Sequence, residues 1–157
     1  MEYIESKNDY YQSVVKFSWM YELWQWADKY HIDDLKIYDY NYGCNEEQFR
    51  GIPRNKEMLL KIKNLNLSNY NLDKIPEAIG DLPNLVCLNL DSNNLTELPY
   101  NLCNLEHLEN LSLIENNLTN LEEDFALLKN LSRISIAGNS LKTTPEKLVQ
   151  FIIYSMN

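Results

Sequence analysis

The chain has 157 residues, 45% hydrophobic and 24% charged, with a formal net charge of −9: one domain, long enough to bury a core. It holds no run of about 18 apolar residues to span a bilayer, and its start, MEYIESKNDYYQ, lacks the basic opening and apolar stretch of a signal peptide, so a cytoplasmic protein is expected. Residues 1–61 carry 8 basic and 11 acidic side chains and residues 62–157 carry 6 and 12, with no basic cluster in either part, which excludes the charge footprint of a nucleic-acid or anionic-membrane binder.

Residues 8–30, NDYYQSVVKFSWMYELWQWADKY, read as a helix. At 100° per residue, Tyr10, Val14, Phe17, Tyr21 and Trp24 form one apolar stripe. Trp19, Leu23, Trp26 and Tyr30 form a second, nearly opposite. Only Ser18, Glu22, Gln25 and Lys29 make a polar strip, so the helix is expected to be covered on most sides. One stripe should dock on the rest of the domain. The second, Trp19 to Tyr30, is taken to meet either residues 31–60, the favoured expectation, or a protein partner.

His31, Asp33 and Asp34 follow the helix, where such residues commonly make turns and caps; acid–base chemistry is the sharper alternative. Tyr38, Tyr40 and Tyr42 alternate as in an edge strand. Ile52-Pro53 lies 23 residues before Ile75-Pro76, with Phe49 before Leu72 and Leu59 before Leu82. Residues 39–61 therefore read as a degenerate capping repeat with Tyr42 and Cys44 in its strand slots. The three cysteines, at 44, 87 and 103, are too few and too widely spaced for a disulfide framework or a metal site, and are expected as reduced thiols. His31 and His107 belong to no metal motif.

From residue 62 the chain matches itself at a step of 23 residues, without insertion or deletion. Ile62, Leu85, Leu108 and Leu131 share one position. Leu65, Leu88, Leu111 and Ile134 share the next, then Leu67, Leu90, Leu113 and Ile136. Tyr70, Asn93, Asn116 and Asn139 follow, then Leu72, Leu95, Leu118 and Leu141. Pro76, Pro99, Glu122 and Pro145 come next, and two further apolar positions close the unit: Ile79, Leu102, Phe125, Leu148 and Leu82, Leu105, Leu128, Phe151. LxL is a short strand with both leucines on one side. The proline begins a return segment without needing an amide partner. One such unit cannot bury its own apolar side, so neighbours must stack. Tyr70 and Glu122 break the pattern, which predicts an irregular first turn and, over LEEDF (121–125), a helical turn with acids at its start.

At these positions the chain resembles the leucine-rich-repeat family, whose unit is LxxLxLxx(N/C)xL at a period of roughly 20–29 residues. IPEAIGDLPNL (75–85) resembles the 23-residue LxxLPxxIGxLxxL class of intracellular and bacterial proteins. The resemblance implies an α/β fold: a short right-handed solenoid of about four repeats over 62–157, with an aromatic-rich helical cap in 1–61. It implies that the asparagines bond backbone groups where the chain leaves each strand. TTPEKLVQFIIYSM is expected as a C-terminal capping helix, with Thr144 at its N-cap, Pro145 in its first turn, and Leu148, Phe151 and Ile152 on the last repeat. Because the chain ends there, it reads as a cap and not a linker.

The resemblance further implies a binding surface on the concave strand face. Its outward positions are Asn64, Cys87, Asn110, Arg133; Asn66, Asn89, Ser112, Ser135; and Ser68, Asp91, Ile114, Ala137. Candidate partner-binding residues are Asn89, Asp91, Asn110, Ser112, Ile114 and Arg133, with Trp19, Leu23, Trp26 and Tyr30 as a second patch. Cys87 would be an ordinary thiol of that face. The Asn-Leu-Ser/Thr triplets at 66, 94, 110, 117 and 130 follow from the repeat itself. No catalytic triad, phosphate loop or metal cluster is present, so no cofactor and no small-molecule substrate are expected. The expected function is a non-enzymatic module that binds a protein or peptide. Alternatives are an acidic inhibitor or immunity protein for a basic partner, a secreted bacterial effector, and an enzyme with its site in residues 1–61.

Overall fold

The computed structural model describes residues 17–34, 36–38 and 48–153. Tyr10, Val14, Tyr40, Tyr42 and Cys44, and the helix expected over 8–16, lie outside the described residues. No helix among them is long and apolar enough to cross a membrane.

Four short strands carry the LxL positions: β3 (Asn64–Asn66), β4 (Cys87–Asn89), β5 (Asn110–Ser112) and β6 (Arg133–Ser135). They pair in parallel, with Leu65 opposite Leu88, Leu88 opposite Leu111 and Leu111 opposite Ile134. The sequence step thus becomes the sheet register. These four side chains are buried, and so are Leu67, Leu90, Leu113 and Ile136 two residues on. The return path is a 3₁₀ turn in each unit: Glu77–Asp81, Tyr100–Asn104, Glu123–Leu127 and Glu146–Phe151. Ile79, Leu102, Phe125 and Leu148 point from those turns into the same core. Glu122 enters its turn at φ −68° and ψ 146°, close to Pro99 at −66° and 141°. Packing therefore holds the extended entry that proline favours, and the acidic helical turn expected at LEEDF is present.

Among the described residues the sheet has seven strands in chain order, where four repeats and one capping repeat would supply five. β1 (Lys36–Tyr38) runs antiparallel to β2 (Gln48–Arg50), and β2 runs parallel to β3 with Phe49 opposite Leu65. The expected slots put Tyr42 beside Leu65; Phe49, 16 residues before Leu65, takes that place. The apolar frame nevertheless resumes at Ile52 and Leu59, both buried. The first unit passes from strand to return segment through Gly51, at φ +95°, a conformation glycine adopts without steric cost. A turn of the later length is therefore not needed. The return helix α2 (Lys56–Lys61) is capped by Asn55, whose side chain accepts from the N–H groups of Glu57 and Met58 at 2.9 and 3.2 Å.

The C-terminal expectation is also corrected. Residues 146–151 make a 3₁₀ turn like the earlier ones, with Pro145 preceding it and no side chain capping it. Ile152–Ile153 then form β7, parallel to β6, with Ile152 opposite Ile134. Adjacent β-branched residues beside an open sheet edge favour pairing over a continued helix.

Helix α1 (Ser18–Lys29) buries Met20, Leu23, Trp26 and Ala27. The Trp26 indole N–H donates to the Lys74 carbonyl at 3.0 Å, and the Tyr30 hydroxyl donates to Asp73. The Trp24 indole N–H donates to the Pro53 carbonyl at 2.9 Å, and Arg54 returns a bond to the Trp24 carbonyl at 2.9 Å. The second stripe thus meets the first repeat, and Trp24 of the first stripe meets residues 53–54. That reverses the favoured arrangement of the two stripes.

Candidate binding face

The strand positions opposite the core leucines line up across the sheet. Asn64, Cys87, Asn110 and Arg133 form one rank and Asn66, Asn89, Ser112 and Ser135 another, fixed by the same register. The ranks differ along their length. Asn64, Cys87, Asn89 and Asp91 are at most 9% exposed. Asn110, Ser112 and Ile114 are half-buried, and Arg133 is exposed.

Hydrogen bonds explain much of this difference. Asn89 Oδ1 accepts the Asp91 N–H at 2.8 Å, as Asn66 Oδ1 accepts the Ser68 N–H at 2.9 Å. Asp91 Oδ1 accepts from the Ser112 hydroxyl at 2.6 Å and the Ile114 N–H at 2.8 Å. Burial, more than the nearby Glu115 charge, pushes the Asp91 carboxyl above its usual range, and the bonds from Ser112 and Ile114 work against that rise. Asn89, Asp91 and Ser112 therefore hold one another and the strand ends. Asn110 Nδ2 lies 3.4 Å from Cys87 Sγ. Among the described residues, Ile114 and Arg133 are the candidates of this face whose side chains make no hydrogen bond, and they sit at its β5–β6 side.

Cys87 is disulfide-bonded, which corrects the reduced-thiol expectation there. Cys103 is a free, half-buried thiol. Burial first, and then the Asp124 charge, push it up to about 11, so it stays protonated and a poor nucleophile at neutral pH. It lines a groove of about 510 Å³ with His107, Leu127 and Lys129 on the side of the 3₁₀ turns.

Of the second candidate patch, Leu23 is fully buried and Trp26 is 7% exposed. Trp19 and Tyr30 are half-buried against the core. Tyr30 is pushed up to about 12 by burial and by its bond to Asp73. Tyr21, on the other stripe, is the aromatic residue of this helix that stands open, at 66%. His31 is exposed in a left-handed conformation (φ 52°) at the helix end. The Asp33 carbonyl accepts the Ile52 N–H at 3.1 Å and Asp34 Oδ1 accepts the Arg54 N–H at 3.1 Å. Both acids therefore serve the turn that seats Gly51–Arg54. Among the described residues no group of three or more His, Cys, Asp or Glu could hold a metal ion.

The asparagines act as the resemblance implied. Asn116 Nδ2 donates to the carbonyls of Leu90, Leu113 and Ile114 at 3.0, 3.2 and 3.3 Å, while its Oδ1 accepts the Leu95 N–H at 3.1 Å. Asn93 and Asn139 repeat the pattern one unit earlier and later. No family model matches the sequence, and no curated protein matches it. A solved structure does: an LRR protein of Leptospira interrogans matches with a TM-score of 0.57 and 34% identity, over 63% of this chain and 26% of that one. The fold is leucine-rich-repeat-like. The chain spans about a quarter of that protein's length.

The repeat also carries features that the leucine pattern does not announce. Asn69, Ser92, Glu115 and Gly138, one per repeat, all have positive φ, between 53° and 70°. Asn71 adds a second such residue in the first turn, which is the irregularity expected where Tyr70 replaces asparagine. A second set of side-chain bonds joins successive repeats on the entry side of the strands. Asn84 Nδ2 donates to the Leu60 carbonyl at 2.7 Å and Asn130 Nδ2 to the Glu106 carbonyl at 2.5 Å. The recurrence of asparagine before the Leu85 and Leu131 positions was the available signal, interrupted by His107.

Proposed function

We propose that the chain is a non-enzymatic, protein-binding module. In this reading it is a short leucine-rich-repeat solenoid of the 23-residue class, capped by residues 1–61, and it binds a protein or peptide on its concave strand face. The supporting observation is the aligned polar ranks of β4–β6, held rigid by their own hydrogen bonds, which let a partner meet pre-ordered side chains at small entropic cost. Exposure narrows the contact set to the β5–β6 side: Asn110, Ser112, Ile114 and Arg133, with Ser135 and Ala137 between them. Asn89 and Asp91 support that surface from beneath. The Cys87 disulfide weighs against the reducing cytoplasm expected from sequence, because such bonds persist in oxidising compartments.

The net charge of −9, with Asp91 and Glu115 beside the contact set, favours a basic partner as the second reading. Capture from lysate of the producing organism, followed by titration of the purified pair, tests both. Ser112→Arg with Ala137→Arg is expected to lower affinity at least tenfold, while Trp19→Ala with Tyr21→Ala leaves it unchanged. The reverse pattern would move the site to the helix. A tenfold or larger loss between 50 and 200 mM salt would select the basic partner.

A further inference from the structure

The repeat frame supplies its own comparison for each surface position. On the return side, the position of Tyr100 is held by Glu77, Glu123 and Glu146 in the other repeats. That of Leu127 is held by Asp81, Asn104 and Gln150, and that of Val149 by Gly80, Cys103 and Ala126. All four turns are 3₁₀ turns whichever residue stands there. Stacking therefore does not call for a large apolar side chain at any of the three positions. Yet Tyr100, Leu127 and Val149 are each more than half exposed. The other large apolar side chains that stand open among the described residues, Tyr21 and Met58, belong to the N-terminal helices α1 and α2.

The three lie on successive turns. A 3₁₀ turn brings residues i and i+3 to one face, so Tyr100 stands beside Cys103. Cys103 and Leu127 line the same groove of about 510 Å³. Ala126, next to Leu127, is one repeat step before Val149, and the turns of these two repeats touch. The apolar patch thus crosses three repeats on the return side. Its border is acidic. The four turns contain Glu77, Asp81, Glu123, Asp124 and Glu146 against Lys147, while Glu106 and Lys129 offset each other in the groove lining, beside His107. The Glu77 carboxylate is fixed by the N–H groups of Tyr100 and Asn101, at 3.2 and 2.7 Å. The charges of Asp124 and Glu77 both reach the Cys103 thiol and help it keep its proton, so the negative potential extends into the patch.

We propose that this return-side surface docks a cationic amphipathic segment of a protein partner. Apolar side chains of that segment cover Tyr100, Leu127 and Val149, one of them entering the groove beside Leu127. Its lysine or arginine flank faces Glu123, Asp124 and Glu146. A second copy of this chain does not fit, because it would set the same acids against one another. The surface is separate from the strand face and does not require that face to bind anything.

Titration of the full chain with a synthetic helical peptide of leucine and lysine, about 18 residues or five turns long, followed by amide NMR, tests this. Shifts are expected at Tyr100, Cys103, Leu127 and Val149, with residues 110–114 of the strand face unmoved. Leu127→Ser with Val149→Ser, at exposed positions where other repeats carry polar or small residues, should weaken binding at least about tenfold. Glu123→Lys with Glu146→Lys should weaken it as much. Ser112→Arg with Ala137→Arg, on the strand face, should change it by less than about twofold, since distant charges are screened. A peptide with serine in place of leucine should not bind. Equal binding by that peptide would reduce the surface to diffuse charge attraction and overturn the proposal. So would shifts centred on residues 110–114, or an affinity that Leu127→Ser with Val149→Ser leaves intact. Dimerisation of the wild type that Leu127→Ser with Val149→Ser abolishes would overturn it too and assign the patch to a second copy.

Discussion

Asn116 is 5% exposed, and both polar atoms of its amide are used in hydrogen bonds to backbone. Truncation would leave the buried Leu95 N–H without its partner, while the Leu90 carbonyl keeps the bond from Asn93 Nδ2 at 2.9 Å, so Asn116→Ala is expected to cost about 2 kcal/mol in urea unfolding. A loss below about 0.5 kcal/mol would mean that water replaces the amide. Asp91 behaves differently, because its environment opposes its charge. Its folded-state pKa is raised, so the folded state holds the proton more tightly than the unfolded chain. The resulting stability is fully present below the unfolded value, about 3.9, and is lost as pH rises through the folded value. Asp91→Asn keeps an acceptor for Ser112 and Ile114 and does not titrate. Its melting temperature relative to wild type is therefore expected to climb between pH 3 and pH 7. Parallel curves would show that Asp91 is solvated in the folded protein.

At the scale of elements, the 3₁₀ turns pack closely enough to decide single atoms. A Cβ at Gly80 would lie 2.0 Å from the Asn101 carbonyl oxygen and 2.5 Å from its carbon, in the turn of the next repeat. Both are backbone atoms and have no rotamer by which to move aside. Gly80→Ala is expected to destabilise by about 3 kcal/mol, the upper end for overpacking, and calorimetry would show it as a lowered melting temperature. A change under about 1 kcal/mol would mean that the turns can slide apart. The same closeness explains why Glu122 holds a proline-like entry: neighbouring turns on both sides impose it. The helix α1 docks by two indole N–H bonds and by Arg54, which also pairs with Asp28 at 2.8 Å. Which aromatic stripe faced which surface was not legible from the periodicity, since both stripes are equally apolar. Lys74 and Pro53 decide it by offering carbonyls at the right places.

For the whole molecule, each strand touches only its neighbours, and an array of this kind can fray from its ends. All three tryptophans lie in residues 19–26, whereas Leu111 sits in β5, buried between Leu88 and Ile134. Leu111→Ala is expected to cost about 3 kcal/mol through the cavity it leaves. If the N-terminal cap and the repeats form one cooperative unit, tryptophan fluorescence and far-ultraviolet circular dichroism will shift together in denaturant. Fluorescence left at the wild-type midpoint would show that the cap unfolds on its own.

The 23-residue step and the inward leucines were determined by sequence, and the resemblance to leucine-rich repeats added the stacked strands and the role of the asparagines. The step and the inward leucines follow from local periodicity repeated in register, and repetition multiplies a weak local signal until one arrangement satisfies every copy. The ends were decided by tertiary structure. Phe49 replaces Tyr42 opposite Leu65, and a seventh strand stands where a helix was expected. Cys87 is oxidised, and the polar strand face is half closed. At an end there is no next copy to average over, so pairing depends on which open edge meets which segment in space. The same reason governs the candidate binding residues. The register puts Asn89, Asp91, Ser112 and Arg133 on one face, but only folding shows that the first three hold one another while Ile114 and Arg133 stand toward its open side.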